Sequence, residues 1–298
     1  MDNASLIRLL SLSAIWGASF LFMRVAVPVL GPELLVLLRV LLAAVFLCAV
    51  SLCLQRGLEV RRRWGHYLVL GLLNSALPFA LFAHAALHLP ASLLSILNAT
   101  APLWGGVLGT LWLRTPLSRQ AVVGLLLGVV GVGTLAGFEL GLLPPGSQWA
   151  MLAALAAAVC YGIASAYAKS VAAIDPLANA HGSMWAATLL TLPALLLVPL
   201  PETFPSAGIL AAVLALGVVC SGVAYLLYFR LIADLGAASA LTVTFLIPMF
   251  GIFWGWLFLG ERVGWHTLAG SLLVIAGTAL TTNFSLSDAF SRRKGGNA

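Results

Sequence analysis

The chain has 298 residues, of which 62% are hydrophobic and only 8% are charged. Soluble domains carry about 25% charged residues, so this composition excludes a soluble globular protein of this length. The net charge of +6 comes from 15 Lys and Arg residues that form no cluster with interleaved aromatics, which argues against nucleic acid as a partner. The sequence therefore indicates a polytopic membrane protein surrounded by the lipid bilayer.

Long apolar runs, separated by charged or Pro/Gly-rich breaks, predict ten transmembrane helices. Each run approaches the roughly 20 residues that cross the hydrocarbon layer, whereas barrel strands would be shorter and alternate in polarity. The predicted fold class is therefore an all-α polytopic membrane protein. The predicted spans are 5–27, 34–54, 65–87, 91–113 and 117–137, followed by 149–171, 177–199, 208–231, 237–259 and 264–284.

The two halves of the chain repeat one another. Shifting the stretch 91–134 by 146 positions places Pro102 on Pro248 and carries the glycines at positions 105, 109, 124 and 131 onto glycines. Internal repeats on this scale are typical of membrane transporters. We therefore predict two five-helix repeats at 5–137 and 149–284, joined by a linker at 138–148 and followed by a cytoplasmic basic tail at 285–298.

The distribution of basic residues predicts the orientation in the membrane. If the N-terminus is cytoplasmic, all of the 15 Lys and Arg residues except Arg24, Arg39 and Arg262 lie on the inner side. The positive-inside rule therefore places both termini in the cytoplasm, in agreement with an even number of spans. Each half has an odd number of spans, so the repeat is predicted to be inverted. Inverted repeats place the substrate near the midplane and expose it alternately to either side.

Three short motifs stand out along the chain: Trp-Gly-Ala-Ser-Phe at 16–20, Pro-Glu at 32–33 followed by Arg39, and Leu-Gly-Glu-Arg at 259–262. Together they resemble the EamA family of the drug/metabolite transporter superfamily. The run Trp-Gly-Ala-Ser-Phe at 16–20 resembles the opening of its first helix, and Pro-Glu at 32–33 followed by Arg39 resembles its second helix. The run Leu-Gly-Glu-Arg at 259–262 resembles the end of its repeat, although Leu-Arg-Thr-Pro stands at 113–116 in the first half. Glu261 is therefore expected to cap the loop before the tenth helix. The resemblance implies a ten-helix inner-membrane carrier that exports amino acids or other small metabolites.

Polar and aromatic side chains near the predicted midplane are the candidate substrate-binding residues. Aromatic faces cover the apolar part of a solute, and amides, hydroxyls and a guanidinium replace the water at its polar end. The alternative is that the same side chains only pack and hydrogen-bond between helices. The candidates are Trp16, Ser19, Arg39, Asn74, Phe79, Asn98, Tyr161, Tyr225 and Thr244. Three pairs are equivalent in the repeat: Trp16 with Tyr161, Phe79 with Tyr225, and Asn98 with Thr244.

Two further predictions concern Arg39 and the prolines. Arg39 lies inside the second span, where it either meets a substrate carboxylate or extends to the headgroups or to backbone carbonyls. Pro102 and Pro248 are equivalent in the repeat and interrupt span interiors, so both are predicted hinges.

No metal or cofactor is predicted. His84 and His88 are four residues apart on one helix face, a spacing that metal ligands use, but the sequence places no carboxylate or cysteine beside them. The four cysteines form no Cys-x-x-Cys pair, so neither a zinc site nor a disulfide framework is indicated. The sequence leaves open whether the protein is a monomer or a homodimer.

The predicted function is secondary or facilitative export of small metabolites, in particular hydrophobic or aromatic amino acids, across a bacterial plasma membrane. A nucleotide-binding loop is absent from the sequence, which excludes ATP drive within this chain. All nine acidic residues lie at span ends or in loops, so no midplane carboxylate is available to couple a proton or sodium ion. Two alternatives stay open: an intramembrane enzyme, which the missing carboxylate pair and His-Glu-x-x-His motif disfavour, and a channel or lipid-handling protein.

Overall fold

The computed structural model describes residues 3–113, 118–139, 145–171, 174–198, 201, 204–235, 240 and 242–281. Over these ranges the chain is helical and contains no β-strand, so the predicted all-α class is confirmed. Five of the described helical segments have the length and apolar composition of a membrane-spanning helix. They are Asn3–Cys53, Val60–Ala85, Ala91–Leu111, Ser147–Ser170 and Ala207–Leu235.

Helix α1 (Asn3–Cys53) contains the first two predicted spans. It is interrupted at Gly31, where φ is 74° and ψ is 157°. A positive φ of this size favours glycine, and the proline that follows has the fixed φ of a first helical residue. The interruption separates 3–30 from 32–53, so helix extends further into the predicted loop than the apolar pattern suggested.

The third and fourth predicted spans of the first half are irregular near their midpoints. Helices α2 (Val60–Gly71) and α3 (Leu77–Ala85) are joined by a π-helical turn, Leu72–Ala76. Helices α4 (Ala91–Asn98) and α5 (Ala101–Leu113) are separated by a two-residue break. Helix α6 is Arg119–Glu139.

The second half contains six helices in the described residues. Helix α7 begins at Ser147, inside the predicted linker, and α6 ends inside it at Glu139. The predicted tail at 285–298 and the linker positions 140–144 lie outside the described residues. The helices are α7 (Ser147–Ser170), α8 (Pro176–Thr191) with a 3-10 extension at Leu192–Leu197, α9 (Ala207–Leu214), α10 (Ala224–Leu235) after the π-helical segment Ala215–Val223, α11 (Thr242–Leu259) and α12 (Trp265–Thr281).

The packed core lies around α1. This helix contacts α3, α8, α9, α10 and α11, and Leu12, Leu35 and Leu47 on it are fully buried. Helices α6 and α12 instead pack mainly on each other. Their outer faces expose large apolar side chains, such as Val129 at 70% and Leu272 at 66%, as expected for a surface that lies against lipid tails.

The two π-helical segments occupy equivalent places in the repeat. A shift of 146 moves 72–76 onto 218–222, which lies inside the second π-helical segment. A π-helical turn inserts a residue into the regular hydrogen-bond ladder and is frequent at functional sites. The shift places Ser75 on Ser221, so the same irregularity carries a serine in each half.

Close helix contacts also recur under the repeat. A Cβ built on Gly17 of α1 would lie 2.7 Å from Cβ of Phe250 on α11. A Cβ built on Gly162 of α7 would lie 2.8 Å from Cβ of Trp104 on α5. Gly17 is equivalent to Gly162 and Phe250 to Trp104, so α1 meets α11 as α7 meets α5.

Helices α6 and α12 approach each other through paired glycines. A Cβ on Gly124 would lie 2.5 Å from the carbonyl oxygen of Gly277, and a Cβ on Gly270 would lie 3.1 Å from that of Gly131. The shift of 146 carries Gly124 onto Gly270 and Gly131 onto Gly277. The interface therefore maps onto itself, and neither side has room for a side chain.

This close packing predicts that Gly131→Ala destabilises the protein. The added methyl would lie 2.9 Å from Cβ of Leu273, so the free energy of unfolding should fall by about 1–3 kcal/mol. Gly133→Ala on the same helix is the matched control because nothing lies within 4 Å of its Cβ position. Denaturant titration of the detergent-purified variants measures both changes. Equal stability of the two variants would contradict the packing.

Candidate substrate-binding site

Arg39 lies in the 32–53 part of α1 and is only 6% exposed. Its Nε donates a hydrogen bond to Oγ of Ser221, 3.1 Å away in the second π-helical segment. Its guanidinium carbon lies 3.7 Å from the ring centroid of Phe79, so the ring quadrupole stabilises the cation. No carboxylate of the described residues forms an ion pair with Arg39. The cation is therefore held by a hydroxyl and an aromatic face.

Two tyrosines from the second half complete the surroundings of this cation. Tyr161 on α7 and Tyr225 on α10 both lie near Arg39. The hydroxyl of Tyr225 accepts a hydrogen bond of 3.0 Å from Nδ2 of Asn74, which lies in the first π-helical segment. The structure thus brings five candidates together: Arg39, Asn74, Phe79, Tyr161 and Tyr225.

Trp16 is held against the second π-helical segment next to this group. Its indole N–H donates a hydrogen bond of 3.2 Å to the carbonyl oxygen of Cys220. The neighbouring residue, Ser221, is the one that accepts from Arg39. Trp16 therefore binds the residue that precedes Ser221, the partner of the buried cation. The ring centroid of Trp16 is 5.4 Å from that of Tyr228.

Aromatic pairs on the two sides of the site are equivalent in the repeat. The ring of Trp16 packs against Tyr228, and the ring of Tyr161 stacks on Phe82 at a centroid distance of 6.3 Å. Phe82 and Tyr228 were not selected from the sequence. The signal that identifies them is their spacing, because each lies three residues after its candidate partner, Phe79 or Tyr225, on one helix face.

The remaining candidates lie in different settings. The hydroxyl of Ser19 donates a hydrogen bond of 2.6 Å to the carbonyl oxygen of Trp16 within α1. Asn98 is the last residue of α4, Thr244 lies in the first turn of α11, and both are half-buried. Their contact with a solute stays a prediction.

Helix α4 is held at both ends by the hairpin of α11 and α12. Its first backbone N–H groups, those of Ala91 and Ser92, donate hydrogen bonds of 2.6 and 3.0 Å to the carboxylate of Glu261. At its other end the hydroxyl of Thr278 donates a hydrogen bond of 2.9 Å to the carbonyl oxygen of Ala99. Glu261 therefore caps a helix of the other half, whereas the sequence suggested a cap of its own loop.

The two predicted hinge prolines differ in their surroundings. Pro102 lies in the first turn of α5, directly after the break at 99–100, whereas Pro248 lies inside the unbroken helix α11. Thr278, which binds the carbonyl oxygen at the break, is equivalent to Val132, which has no hydroxyl. Equivalent positions thus have different backbone structure, and hinge motion at either proline stays a prediction.

His84 has a carboxylate neighbour that the sequence did not reveal. Its Nε2 lies 3.2 Å from Oε1 of Glu33, and its Nδ1 lies 2.9 Å from the carbonyl oxygen of Ala80. The expectation that no carboxylate lies beside the histidines was therefore wrong, because the bend at Gly31 brings Glu33 to the end of α3. No group of three His, Cys, Asp or Glu side chains able to hold a metal occurs in the described part of the chain.

Comparisons with known proteins agree along nearly the whole chain. Residues 4–136 and 148–283 each match the family described as EamA-like transporter family. The chain is 29% identical to "Uncharacterized transporter YvbV" of Bacillus subtilis (91% of this chain, 88% of that protein) and 25% identical to "Protein PecM" of Dickeya dadantii (94% and 92%). It is 27% identical to "Probable terminal-alkyne amino-acid exporter" of Streptantibioticus cattleyicolor, with 91% of each covered. One solved crystal structure shares the fold with a TM-score of 0.66 at 19% identity, covering 94% of this chain and 96% of that one.

The cap on α4 predicts a local effect of Glu261→Ala. Loss of a helix cap should lower the free energy of unfolding by about 1–2 kcal/mol, and hydrogen exchange of the amides in α4 should accelerate. Glu261→Gln keeps an acceptor oxygen without the charge, so its free energy of unfolding and its exchange rates in α4 should lie between those of Glu261→Ala and the parent protein. Hydrogen exchange mass spectrometry of the peptide at 88–100 measures the local change.

Glu59→Ala is the control for this experiment. Glu59 is exposed, and a hydrogen bond from Arg63 holds the pKa of its carboxyl group below the ordinary value. Removal of such a surface pair should leave both stability and the exchange of α4 nearly unchanged. Unaltered exchange of α4 in Glu261→Ala would contradict the capping role.

Proposed function

We propose, from the premise that this chain belongs to the EamA-like transporter family, that it exports small metabolites across a bacterial plasma membrane by alternating access. It acts as a secondary or facilitative carrier and not as an enzyme. The observation that carries the proposal is the site around Arg39, which combines a buried cation, amide and hydroxyl groups and aromatic faces from both halves of the chain. Sites of this mixed composition suit amphiphilic solutes.

The proposed architecture is ten helices in two inverted repeats with both termini in the cytoplasm. The recurring contacts of Gly17 with Phe250 and of Gly162 with Trp104 support an internal two-fold relation. The interface between α6 and α12, which maps onto itself, supports the same relation. An inverted repeat places the site near the midplane, where either half can open towards one side.

Side-chain contacts between helix ends are the proposed gates. On the proposed cytoplasmic side, Arg8 pairs with Asp234 at 2.6 Å, and His66 hydrogen-bonds Asn179 at 3.0 Å. On the opposite side, Arg24 donates a hydrogen bond of 2.6 Å to the carbonyl oxygen of Ala86. Partly exposed contacts of this kind contribute little free energy each, so they can break and reform during a transport cycle.

The proposed substrates are hydrophobic or aromatic amino acids. The rings of Trp16, Phe79 and Tyr161 offer faces for an apolar side chain, and Asn74 and Arg39 offer donors for a polar end. The similarity to a protein named as an amino-acid exporter agrees with this class.

Uncoupled flux or exchange is the proposed energetic mode. Five carboxylates of the described residues lie at helix ends or in loops and already have partners, so none of these five is available near Arg39 to bind a proton or sodium ion during transport. These carboxylates are Glu33 with His84, Glu59 with Arg63, Asp175 with the backbone N–H of Ala178, Asp234 with Arg8 and Arg230, and Glu261 with α4.

Trp16→Ala tests the position of the site. The lost aromatic contact should reduce counterflow of labelled hydrophobic amino acids in proteoliposomes by roughly tenfold or more. Trp256→Ala is the matched control because Trp256 is 58% exposed on the outer surface of α11 and should leave counterflow unchanged. Equal counterflow in both variants would remove Trp16 from the site, and absence of exchange for every amino acid would reject this substrate class.

A further inference from the structure

We propose that the site selects solutes that carry a carboxylate and that this carboxylate pairs with the guanidinium of Arg39. The inference deepens the proposed transport function and rests on it. It names the charged group that a substrate must have, whatever the rest of the molecule is.

The guanidinium of Arg39 has unused hydrogen-bond donors. An arginine side chain has five N–H donors and stays charged in proteins. In the described structure only Nε has a partner, the hydroxyl of Ser221. The two terminal nitrogens have no hydrogen-bond partner there, and the residue as a whole is only 6% exposed. These donors can therefore bind a polar group of a solute that reaches the site.

The surroundings of Arg39 supply no negative charge. Its described neighbours are the ring of Phe79, the hydroxyl of Ser221 and the tyrosines Tyr161 and Tyr225. An unpaired charge in a low-dielectric interior is strongly unfavourable. The protein thus keeps a cation for which the described residues provide no counterion, and a bound solute can provide one.

The contacts of the guanidinium are compatible with a bound carboxylate. The ring of Phe79 lies 3.7 Å from the guanidinium carbon, against its flat face. A carboxylate binds arginine in the guanidinium plane through two parallel N–H···O hydrogen bonds. The cation–π contact and the bidentate pair use different directions, so both can form at once.

The neighbouring rings explain why the carboxylate would belong to an amphiphilic molecule. Tyr161 stacks on Phe82, and Trp16 packs on Tyr228 and binds Cys220, the residue next to the Ser221 partner of Arg39. An apolar group attached to the carboxylate can lie against these rings. A fully polar acid of the same charge would leave them uncovered.

The test compares acids with their amides in counterflow of labelled L-phenylalanine. The competitors are L-phenylalanine against L-phenylalaninamide, and phenylacetate against phenylacetamide. In the parent protein each acid should compete roughly tenfold better than its amide or more, because a hydrogen-bonded charge pair is lost in the amide. Arg39→Gln should abolish this preference, and Arg39→Lys should keep part of it because the charge remains.

Arg24→Gln is the matched control for removal of a transmembrane arginine. Arg24 lies at the outer end of the first predicted span, where its side chain already donates hydrogen bonds of 2.6 and 3.1 Å to the carbonyl oxygens of Ala86 and Leu87. Its removal should leave the preference for acids intact even if it lowers the amount of folded protein. Loss of the preference in Arg24→Gln as well as in Arg39→Gln would overturn the assignment to Arg39.

Two outcomes separate this inference from the proposed function. If the parent protein exchanges L-phenylalanine but acids and amides compete equally, the carboxylate inference is overturned and the proposed transport function is retained. Absence of L-phenylalanine exchange counts against the amino-acid proposal, and thermal unfolding with phenylacetate and phenylacetamide then decides the inference. Stabilisation by the acid alone, lost in Arg39→Gln, supports it, and equal or absent stabilisation overturns it.

Discussion

The hydrogen-bonding requirement of a backbone in hydrocarbon governs the whole arrangement. Lipid tails offer no donors or acceptors, so each backbone group freed by an irregular turn needs a partner from the protein. Here the partners cross from one half of the chain to the other. Trp16 binds the carbonyl oxygen of Cys220, Thr278 binds that of Ala99, and Glu261 binds the first N–H groups of α4. The irregular turns that shape the site therefore also join the two repeats.

The same turns explain why the site contains residues of both halves. The π-helical segments at equivalent positions carry Asn74 and Ser221, and each contacts a residue of the opposite repeat, Tyr225 or Arg39. The equivalent aromatic pairs, Trp16 with Tyr228 and Tyr161 with Phe82, lie on either side. The two family-related halves of the chain thus contribute equivalent aromatic pairs to the site, and they differ at other positions, such as Arg39, whose equivalent is Met184.

Composition and the internal repeat were sufficient to predict the all-α class, the approximate helices and five residues that lie together in the structure, Arg39 and four around it. Those predictions depend on apolar runs and on the match between the two halves, and both can be read from the sequence alone. The partner of Glu261 could not be predicted because it lies 170 residues away. The π-helical turns were missed because their residues have ordinary helical composition, and the proximity of Glu33 to His84 depends on the backbone bend at Gly31.

The break between α4 and α5 has no counterpart in α11, and this difference has an energetic consequence. In a carrier built from two identical halves, the state open to one side and the state open to the other would have the same energy by symmetry. Among the described residues, the cap by Glu261 and the contact of Thr278 hold α4, and Val132, the equivalent of Thr278, has no hydroxyl to do the same. In the proposed alternating-access cycle, contacts of this kind would make the two states unequal, and each 1.4 kcal/mol of difference corresponds to about a tenfold bias in their populations. Apparent affinities measured from the two sides of the membrane would then differ, and a helix cap far from the solute would contribute to the preferred direction of transport.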